Sequence, residues 1–306
     1  VAAAARLRVY RSLFSGGRVV KDWLKLLRPH QWVKSGFVFV GLIFGHAWHD
    51  AATVQQVLLA AVAFSLAASA VYVGNDFVDR ARDRQHPVKC RRPLAAGAIR
   101  PGSALLVGVI LLLLSLLLAW LAAPAVAAIV AAYLLLNVGY TLGLKHVVLL
   151  DVFIISAGFM LRILAGTLGV GIVPSQWLLL CGLMVTLFLG FAKRRAELKA
   201  LEGEAAGHRR VLEDYDPVLL DKLIGVCAAA TIVSYSLYTV SGETAALHGG
   251  AALIATVPFV VYGMFRYLFL LHRRDGGGDP AAELLRDRHL LAACIGWLAT
   301  VLLILG

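Results

Sequence analysis

Charged residues are scarce in this sequence. They make up 15% of the 306 residues, whereas hydrophobic residues make up 60%. Soluble globular proteins carry about a quarter of their residues as charged side chains. The shortage of charge argues against a soluble globular fold and predicts a polytopic membrane protein with one domain.

Cysteine is also rare, and its spacing is irregular. The four residues are Cys90, Cys181, Cys227 and Cys294. Three of them lie in apolar runs, where a free thiol behaves as a small hydrophobic group. This usage excludes a disulfide framework and a zinc site as organising features. The apolar stretch at the N-terminus is interrupted by arginines, so no cleavable signal peptide is expected.

The net charge of +11 does not indicate a nucleic-acid partner. No RNA-binding motif accompanies it, and a positive excess in a membrane protein is typical of cytoplasmic loops. We therefore expect no nucleic acid among the partners, which include membrane lipids.

Long apolar runs recur along nearly the whole chain, and a spanning helix needs about 20 such residues. We predict an all-α membrane protein with an interfacial segment at 1–32 and a nine-helix transmembrane domain at 33–306. Residues 19–27 have the pattern of an amphipathic interfacial helix. The predicted spans are 33–48, 54–74, 103–122, 125–143, 147–169, 176–193, 218–240, 248–270 and 289–305.

The basic residues predict the orientation of these helices. With the N-terminus in the cytoplasm, the four outward turns contain no Lys or Arg. All but one of the 29 Lys and Arg residues lie in or near the N-terminal segment and the four inward loops; the exception is Arg162. This asymmetry follows the positive-inside pattern, so we expect the N-terminus and the functional site at the cytoplasmic face.

An acidic motif follows the second predicted span, within "NDFVDRARDRQHPVKCRRP" (75–93). Asp76, Asp79 and Asp83 are three and four residues apart, so they share one face of a helix, and Asn75 lies beside them. Clustered carboxylates suit Mg²⁺, which proteins usually share with substrate phosphates. A salt-bridged, solvated helix end explains the same pattern. The position at the inner end of a membrane helix favours the metal site.

Basic residues gather in two other places. Lys89, Arg91 and Arg92 follow the acidic motif, and "KRRAEL" (193–198) ends the sixth predicted span. Topology alone explains many loop cations, but forked guanidinium groups also bind phosphate. Glu197, within the second group, is either a further metal ligand or a partner of Arg194.

Three further positions are harder to assign. Tyr140 and Lys145 fit an interfacial aromatic residue and a topology lysine as well as a site. Arg162 lies about three turns inside a spanning helix, where a charge is costly and usually paired or functional, so we expect it to face a polar cavity. Tyr215 and Asp216 have the pattern of a helix cap ahead of Pro217.

The motif N-D-x₂-D-x₃-D resembles the first aspartate-rich motif of the UbiA-type intramembrane prenyltransferase superfamily. The segments 24–34, 75–99, 140–166 and 192–198 are similar to its decaprenyl-phosphate phosphoribosyltransferase branch. This resemblance implies a UbiA-type helical bundle with a cytoplasm-facing polar cavity, in a bacterial inner membrane. It also implies Mg²⁺, a phosphoribosyl diphosphate donor, a polyprenyl phosphate acceptor and a role in supplying lipid-linked arabinofuranose for cell-envelope glycans.

The sequence departs from the wider superfamily at the sixth predicted span. Ordinary members carry a second aspartate-rich motif there, whereas this chain has "KRRAEL" with a single acid. Cations in place of acids suit a substrate set with more phosphate groups. The departure therefore favours the phosphoribosyl branch over an enzyme that prenylates aromatic compounds.

The resemblance and the charge pattern together give a set of expected site residues. The expected catalytic residues are Asp76, Asp79, Asp83, Lys193 and Glu197. All of these except Lys193 are expected metal ligands. The expected substrate-binding residues are Arg28, Gln31, Lys34, Asn75, Lys89, Arg91, Arg92, Tyr140, Lys145, Arg162 and Arg194.

Several alternatives stay open at this point. An aromatic-accepting prenyltransferase shares the acidic motif. A transporter usually shows internal repeats and broken helices. This sequence shows no convincing repeat, and its charges gather at one face instead of forming a pathway across the membrane. A CDP-alcohol phosphotransferase requires glycine after the second aspartate, where this chain has Arg80. Homo-oligomerisation stays open because apolar outer faces are lipid-facing by default.

Overall fold

The computed structural model describes residues 19–201, 214–247, 250, 252–273, 283–284 and 286–305. Within these ranges the chain forms helices and no β-strand, which confirms the predicted all-α fold. The α-helices are α1 (19–27), α2 (Val40–Phe44), α3 (Ala51–Val78), α4 (Arg80–Asp83), α5 (Pro101–Ala122), α6 (Pro124–Leu142), α7 (Leu150–Ala165), α8 (Gln176–Leu201), α9 (Pro217–Val240), α10 (Gly242–Leu247), α11 (Val257–Arg273) and α12 (Arg288–Leu305). The 3₁₀ segments are Pro29–Phe39, Lys89–Arg91, Leu144–His146, Leu168–Val170 and Ala252–Thr256.

Eight helical segments in the described ranges are long and apolar enough to cross a membrane. They correspond to the second through ninth predicted spans. The first predicted span, 33–48, takes a different form: the 3₁₀ segment Pro29–Phe39 continues directly into the short helix α2. The count of nine spans is therefore not confirmed by helix length and composition.

Side-chain caps and prolines set several helix boundaries. The Asp50 carboxylate accepts hydrogen bonds from the backbone N–H groups of Ala52 and Thr53 at the start of α3. Asp216 accepts one from Leu219 at the start of α9, as the predicted cap requires. A single residue, Ala123, separates α5 from α6, because a proline opens the second helix.

The helices pack around two main apolar clusters. One joins α3, α5 and α6 around Phe64 and Tyr133, and the other joins α7, α8, α9 and α11 around Phe188 and Leu271. The segment before α3 crosses the end of α7 very closely, since a Cβ added at Gly166 would lie 1.7 Å from the carbonyl oxygen of Val38. Only glycine permits this crossing.

A row of polar side chains on α3 faces the 3₁₀ segment Pro29–Phe39. Ser65 donates a hydrogen bond to the Ser35 hydroxyl at 2.9 Å. One turn later, the Ser69 hydroxyl accepts a hydrogen bond from the Trp32 indole N–H at 3.0 Å. The row continues along α3 to Asp76, so it leads directly into the acidic motif.

Candidate active site

The acidic motif lies where α3 gives way to α4. Asp79 ends α3 and precedes α4, Asp76 lies in the last turn of α3, and Asp83 ends α4. Asp76 and Asp83 are buried, whereas the Asp79 side chain is 26% exposed. A helix break at Asp79 therefore separates two buried carboxylates from one that solvent reaches.

Two arginines from either side of α3 pair with the buried carboxylates. Arg92 Nη1 lies 3.0 Å from Asp76 Oδ1 and 2.8 Å from Asp83 Oδ2, so one guanidinium bridges both acids. Arg28 Nη2 lies 2.7 Å from the same Oδ1 atom of Asp76. These two cations, predicted to bind substrate, thus lie in the acidic motif itself.

The loop after α6 reaches the same site. Lys145 Nζ lies 3.6 Å from Asp79 Oδ1. The Thr141 hydroxyl donates to the Asn75 side-chain oxygen at 2.6 Å. These contacts place the ends of α3 and α6 at one end of the bundle and bring two predicted substrate-binding residues, Asn75 and Lys145, beside the carboxylates.

The second group of charges lies in the C-terminal part of α8, around Arg194. This side chain is 1% exposed, and its Nε donates to Asp151 Oδ2 at 2.6 Å. Nη1 donates to Glu197, and Nη2 lies 3.5 Å from the Tyr140 hydroxyl. Of the two roles considered for Glu197, the observed contact is the pairing with Arg194.

Tyr215 closes this group from the segment before α9. Its hydroxyl donates to Asp151 Oδ1 at 2.7 Å and accepts the Leu149 backbone N–H at 2.8 Å. Burial, and then the hydrogen bond to Asp151, raise the pKa of Tyr215, so the phenol stays protonated as a donor. Tyr215 therefore binds an acid on α7 instead of contributing to the predicted cap, which Asp216 supplies.

Asp151 and Tyr215 were not among the expected site residues. A signal existed for Asp151, because an acid inside a predicted span is by default a functional candidate. Tyr215 carried no comparable signal, since its partner is 64 residues away in the chain.

Arg162 has surroundings that differ from the expected polar cavity. Its guanidinium carbon lies 5.3, 4.7 and 5.5 Å from the ring centres of Phe64, Tyr133 and Phe159. Nη1 donates to the carbonyl oxygen of Gly158 at 2.8 Å. Nη2 donates to the Tyr133 hydroxyl at 3.2 Å, and Nε is buried without a hydrogen-bond partner in the described part of the chain. Aromatic faces attract a desolvated cation, so the three rings stabilise this buried charge.

The remaining expected residues lie on three short stretches of the chain. Gln31 and Lys34 lie on the 3₁₀ segment that follows Arg28. Lys89 and Arg91 lie in the short 3₁₀ helix that precedes Arg92, and Arg91 is exposed. Lys193 is 45% exposed, with Nζ at 4.0 Å from Glu197.

The acidic motif fits a hard divalent cation by its donor chemistry. Oxygen ligands from carboxylates are what Mg²⁺ prefers. Asp76 Oδ2 is buried and has no hydrogen-bond partner in the described part of the chain, so one oxygen is open to a ligand. Among the described residues, however, no three or more His, Cys, Asp or Glu side chains are assembled as a metal site. Asp76, Asp79 and Asp83 are the residues that would hold the ion.

Carboxylates and cations gathered at one end of an apolar helical bundle are typical of an integral membrane enzyme that handles phosphorylated substrates. The chain belongs to the UbiA prenyltransferase family, whose model matches residues 36–287. A decaprenyl-phosphate phosphoribosyltransferase of Corynebacterium glutamicum is 35% identical over 285 residues, covering 92% of this chain and 85% of the relative. The protein of the same name from Mycobacterium tuberculosis is 35% identical over 289 residues, covering 92% and 94%. These relatives confirm the resemblance found in the sequence.

A solved structure agrees with the family assignment. The UbiA homolog of Archaeoglobus fulgidus bound to GPP and Mg²⁺ superposes with a TM-score of 0.69 at 17% identity, covering 93% of this chain and 99% of that one. At this level of identity the likeness shows the fold, which is the all-helical UbiA bundle.

Proposed function

We propose that this enzyme transfers 5-phosphoribose from phosphoribosyl diphosphate to a polyprenyl phosphate of the decaprenyl type. The observation that carries the proposal is the replacement of a second acidic motif by the cation-rich end of α8, in a chain 35% identical to decaprenyl-phosphate phosphoribosyltransferases. Donor and acceptor together bring a diphosphate and two monophosphates, which require more positive charge than a single prenyl diphosphate. The product would serve as a precursor of lipid-linked arabinofuranose for cell-envelope glycans.

In the proposed reaction, a phosphate oxygen of the lipid forms a bond to C1 of the ribose. The bond from C1 to diphosphate breaks, and its electron pair leaves with the diphosphate, so the anomeric centre inverts. The nucleophile is already ionised at neutral pH and needs no strong base. Catalysis then depends on positioning and on electrostatic stabilisation of the leaving group.

The chain offers cations for each anionic group. Arg92 and Lys145 already lie against the carboxylates of the acidic motif, where a diphosphate would share them. Arg28 lies just before the 3₁₀ segment and suits the lipid phosphate, since the isoprenoid tail must remain in the bilayer. Lys193 on α8 is an exposed cation for the remaining phosphate.

Mg²⁺ held by Asp76, Asp79 and Asp83 would neutralise charge on the leaving diphosphate. Support comes from the open oxygen of Asp76 and from the family neighbour solved with Mg²⁺. Glu197 from α8 is a further ligand, or it accepts hydrogen bonds from the ribose hydroxyls.

We also propose nine membrane crossings, with the acidic motif and the N-terminus on the cytoplasmic side of the bacterial inner membrane. The 3₁₀ segment rises about 2.0 Å per residue and α2 about 1.5 Å, so residues 29–44 reach about 30 Å. This length matches the hydrocarbon core of a bilayer. The distribution of Lys and Arg supports the orientation.

The test is an assay with purified protein, polyprenyl phosphate, and phosphoribosyl diphosphate labelled in the ribose. We expect a lipid-soluble labelled product that requires Mg²⁺ and is lost on addition of EDTA. Geranyl diphosphate with an aromatic acceptor, supplied in parallel, should give no product. A prenylated aromatic product, with no lipid-soluble product from the labelled phosphoribosyl diphosphate, would overturn the proposal in favour of an aromatic prenyltransferase.

The acidic motif is tested in the same assay with Asp79→Ala and Asp83→Ala. Each should abolish turnover in protein that still elutes as a folded species. Asp221→Asn is the matched control, because this acid pairs with Arg195 at 2.6 Å on the α8 and α9 surface, outside the acidic motif. Near-normal rates in both alanine variants would remove the motif from the mechanism.

A further inference from the structure

Arg194 is more deeply buried than a substrate ligand needs to be. It is the largest side chain among the almost completely buried described residues. Each of its three guanidinium nitrogens faces a protein partner: Asp151, Glu197 and the Tyr140 hydroxyl. A substrate phosphate would have to displace one of these partners inside the protein. Arg194 therefore acts as part of the framework.

Asp151 is the fixed point of this arrangement. Its side chain is 0% exposed, and both carboxylate oxygens are engaged, one by Arg194 and the other by Tyr215. A buried carboxylate without such partners would be costly. The Leu149 N–H donates to the same Tyr215 hydroxyl, and Leu149 has a φ of 67°, which leucine rarely adopts. One phenol thus secures both the acid and a strained turn next to it.

We infer that Asp151 and Tyr215 are positioning residues that hold Arg194 so that Arg194 orients Glu197 towards the substrate. The inference rests on the proposed function, because the substrate that Glu197 meets is the phosphoribosyl donor. The contacts run from Tyr215 through Asp151 and Arg194 to Glu197. Of these four side chains, Glu197 is 30% exposed and the other three are buried, so Glu197 is the one carboxylate that solvent and substrate can reach.

The geometry explains how the orientation is transmitted. Arg194 and Glu197 are three residues apart on α8, a spacing at which a surface pair samples several rotamers. The bond from Nε to Asp151 fixes one edge of the planar guanidinium. The rigid fork then presents Nη1 to Glu197 in a single direction. Loss of an outer-shell partner that orients a metal ligand typically costs about 10- to 100-fold in metal affinity or activity, and we expect an effect at the lower end of this range for the partners of Arg194.

A double-mutant cycle tests the inference kinetically. Tyr215→Phe should lower kcat by about tenfold while leaving KM for polyprenyl phosphate unchanged. In the Glu197→Gln background, the same change should have little further effect, because its route to the substrate is already lost. Asp221→Asn, which removes the acid paired with the neighbouring Arg195, is the matched control and should leave kcat unchanged. An equal loss from Tyr215→Phe in both backgrounds would overturn the inference.

A second measurement does not depend on turnover. Phenylglyoxal modifies accessible arginines, and mass spectrometry locates the adducts. In the wild-type protein we expect modification of the exposed Arg91 and protection of Arg194. Tyr215→Phe should increase modification of Arg194 without changing that of Arg91. Modification of Arg194 as fast as Arg91 in the wild type would overturn the positioning role. Protection of Arg194 together with no phosphoribosyl transfer by the wild type would refute the proposed function alone.

Discussion

Replacing Arg92 by methionine would separate two buried carboxylates from the cation that joins them. Arg92 Nη1 lies 3.0 Å from Asp76 Oδ1 and 2.8 Å from Asp83 Oδ2. Asp76 would retain Arg28, whereas Asp83 would lose the one ion pair that it has in the described part of the chain. Asp83 is buried, so its charge would be left without compensation.

The expected cost follows from this burial. Removing one partner of a buried ion pair destabilises a protein by about 3 to 5 kcal/mol. The Arg92 side chain is 30% exposed, so water reaches part of the site and we expect a cost of about 3 kcal/mol. Changing Asp83 to asparagine in the same protein should restore most of this loss, because no uncompensated charge then remains.

Unfolding in mixed detergent and denaturant measures these differences in the free energy of unfolding. Arg84→Met is the matched control, since Arg84 lies in the same segment and its hydrogen bond in the described part of the chain goes to the neutral carbonyl oxygen of Ala95, at 3.2 Å. That partly buried hydrogen bond should be worth about 1.5 kcal/mol. The reasoning is refuted when Arg92→Met costs no more than Arg84→Met, or when the double variant is as unstable as the single one.

Three further predictions concern other contacts. Gly166→Ala should prevent folding or strongly destabilise the protein, because the added Cβ would overlap the Val38 carbonyl. Gly74→Ala is the control, since a Cβ at this position meets open space, and it should be neutral or stabilising. Thermal unfolding compares the two variants. Arg162→Lys should lower the free energy of unfolding by about 2 kcal/mol, because lysine loses the planar contact with three aromatic rings. A smaller decrease in the free energy of unfolding than that of an Arg→Lys variant at an exposed position would contradict this prediction. The hydrogen bond from Arg266 holds the pKa of Asp287 in the folded protein well below its usual range. The ionised carboxylate therefore stabilises the folded protein fully at pH values above about 3.9, the pKa of aspartate in the unfolded chain. This stabilisation is lost as the pH falls below that value and through the lower pKa of the folded state. Asp287→Asn should remove that part of the acid dependence of unfolding.

The helices were largely predictable because hydropathy reports their apolar centres. The second predicted span, 54–74, lies inside α3 (Ala51–Val78). The helix extends further because Asp50 caps one end and the arginine partners allow Asp76 to lie buried at the other. The first span was predicted as a regular helix, whereas Pro29–Phe39 winds as a 3₁₀ helix, a distinction that apolar composition does not encode.

The residue types of the candidate site were also predictable, but their partners were not. The spacing of clustered aspartates and arginines is enough to predict a charged site. Which cation meets which acid depends on how distant segments are folded together: Arg28 and Asp76 are 48 residues apart. Arg194 illustrates the consequence, since the sequence suggested a phosphate ligand and the structure gives a buried partner of Asp151 and Glu197.

The polar row on α3 has a consequence for how this bundle selects one alignment. Lipid is as apolar as the helix surfaces, so sliding α3 by one turn, about 5.4 Å, would change little apolar contact. The same slide would break the bonds from Ser65 to Ser35 and from Trp32 to Ser69. The hydrogen bonds of these hydroxyls therefore fix the position of α3 along its own axis. That position is what brings Asp76 opposite Arg28, so the electrostatics at the end of the helix are set by hydrogen bonds in its middle.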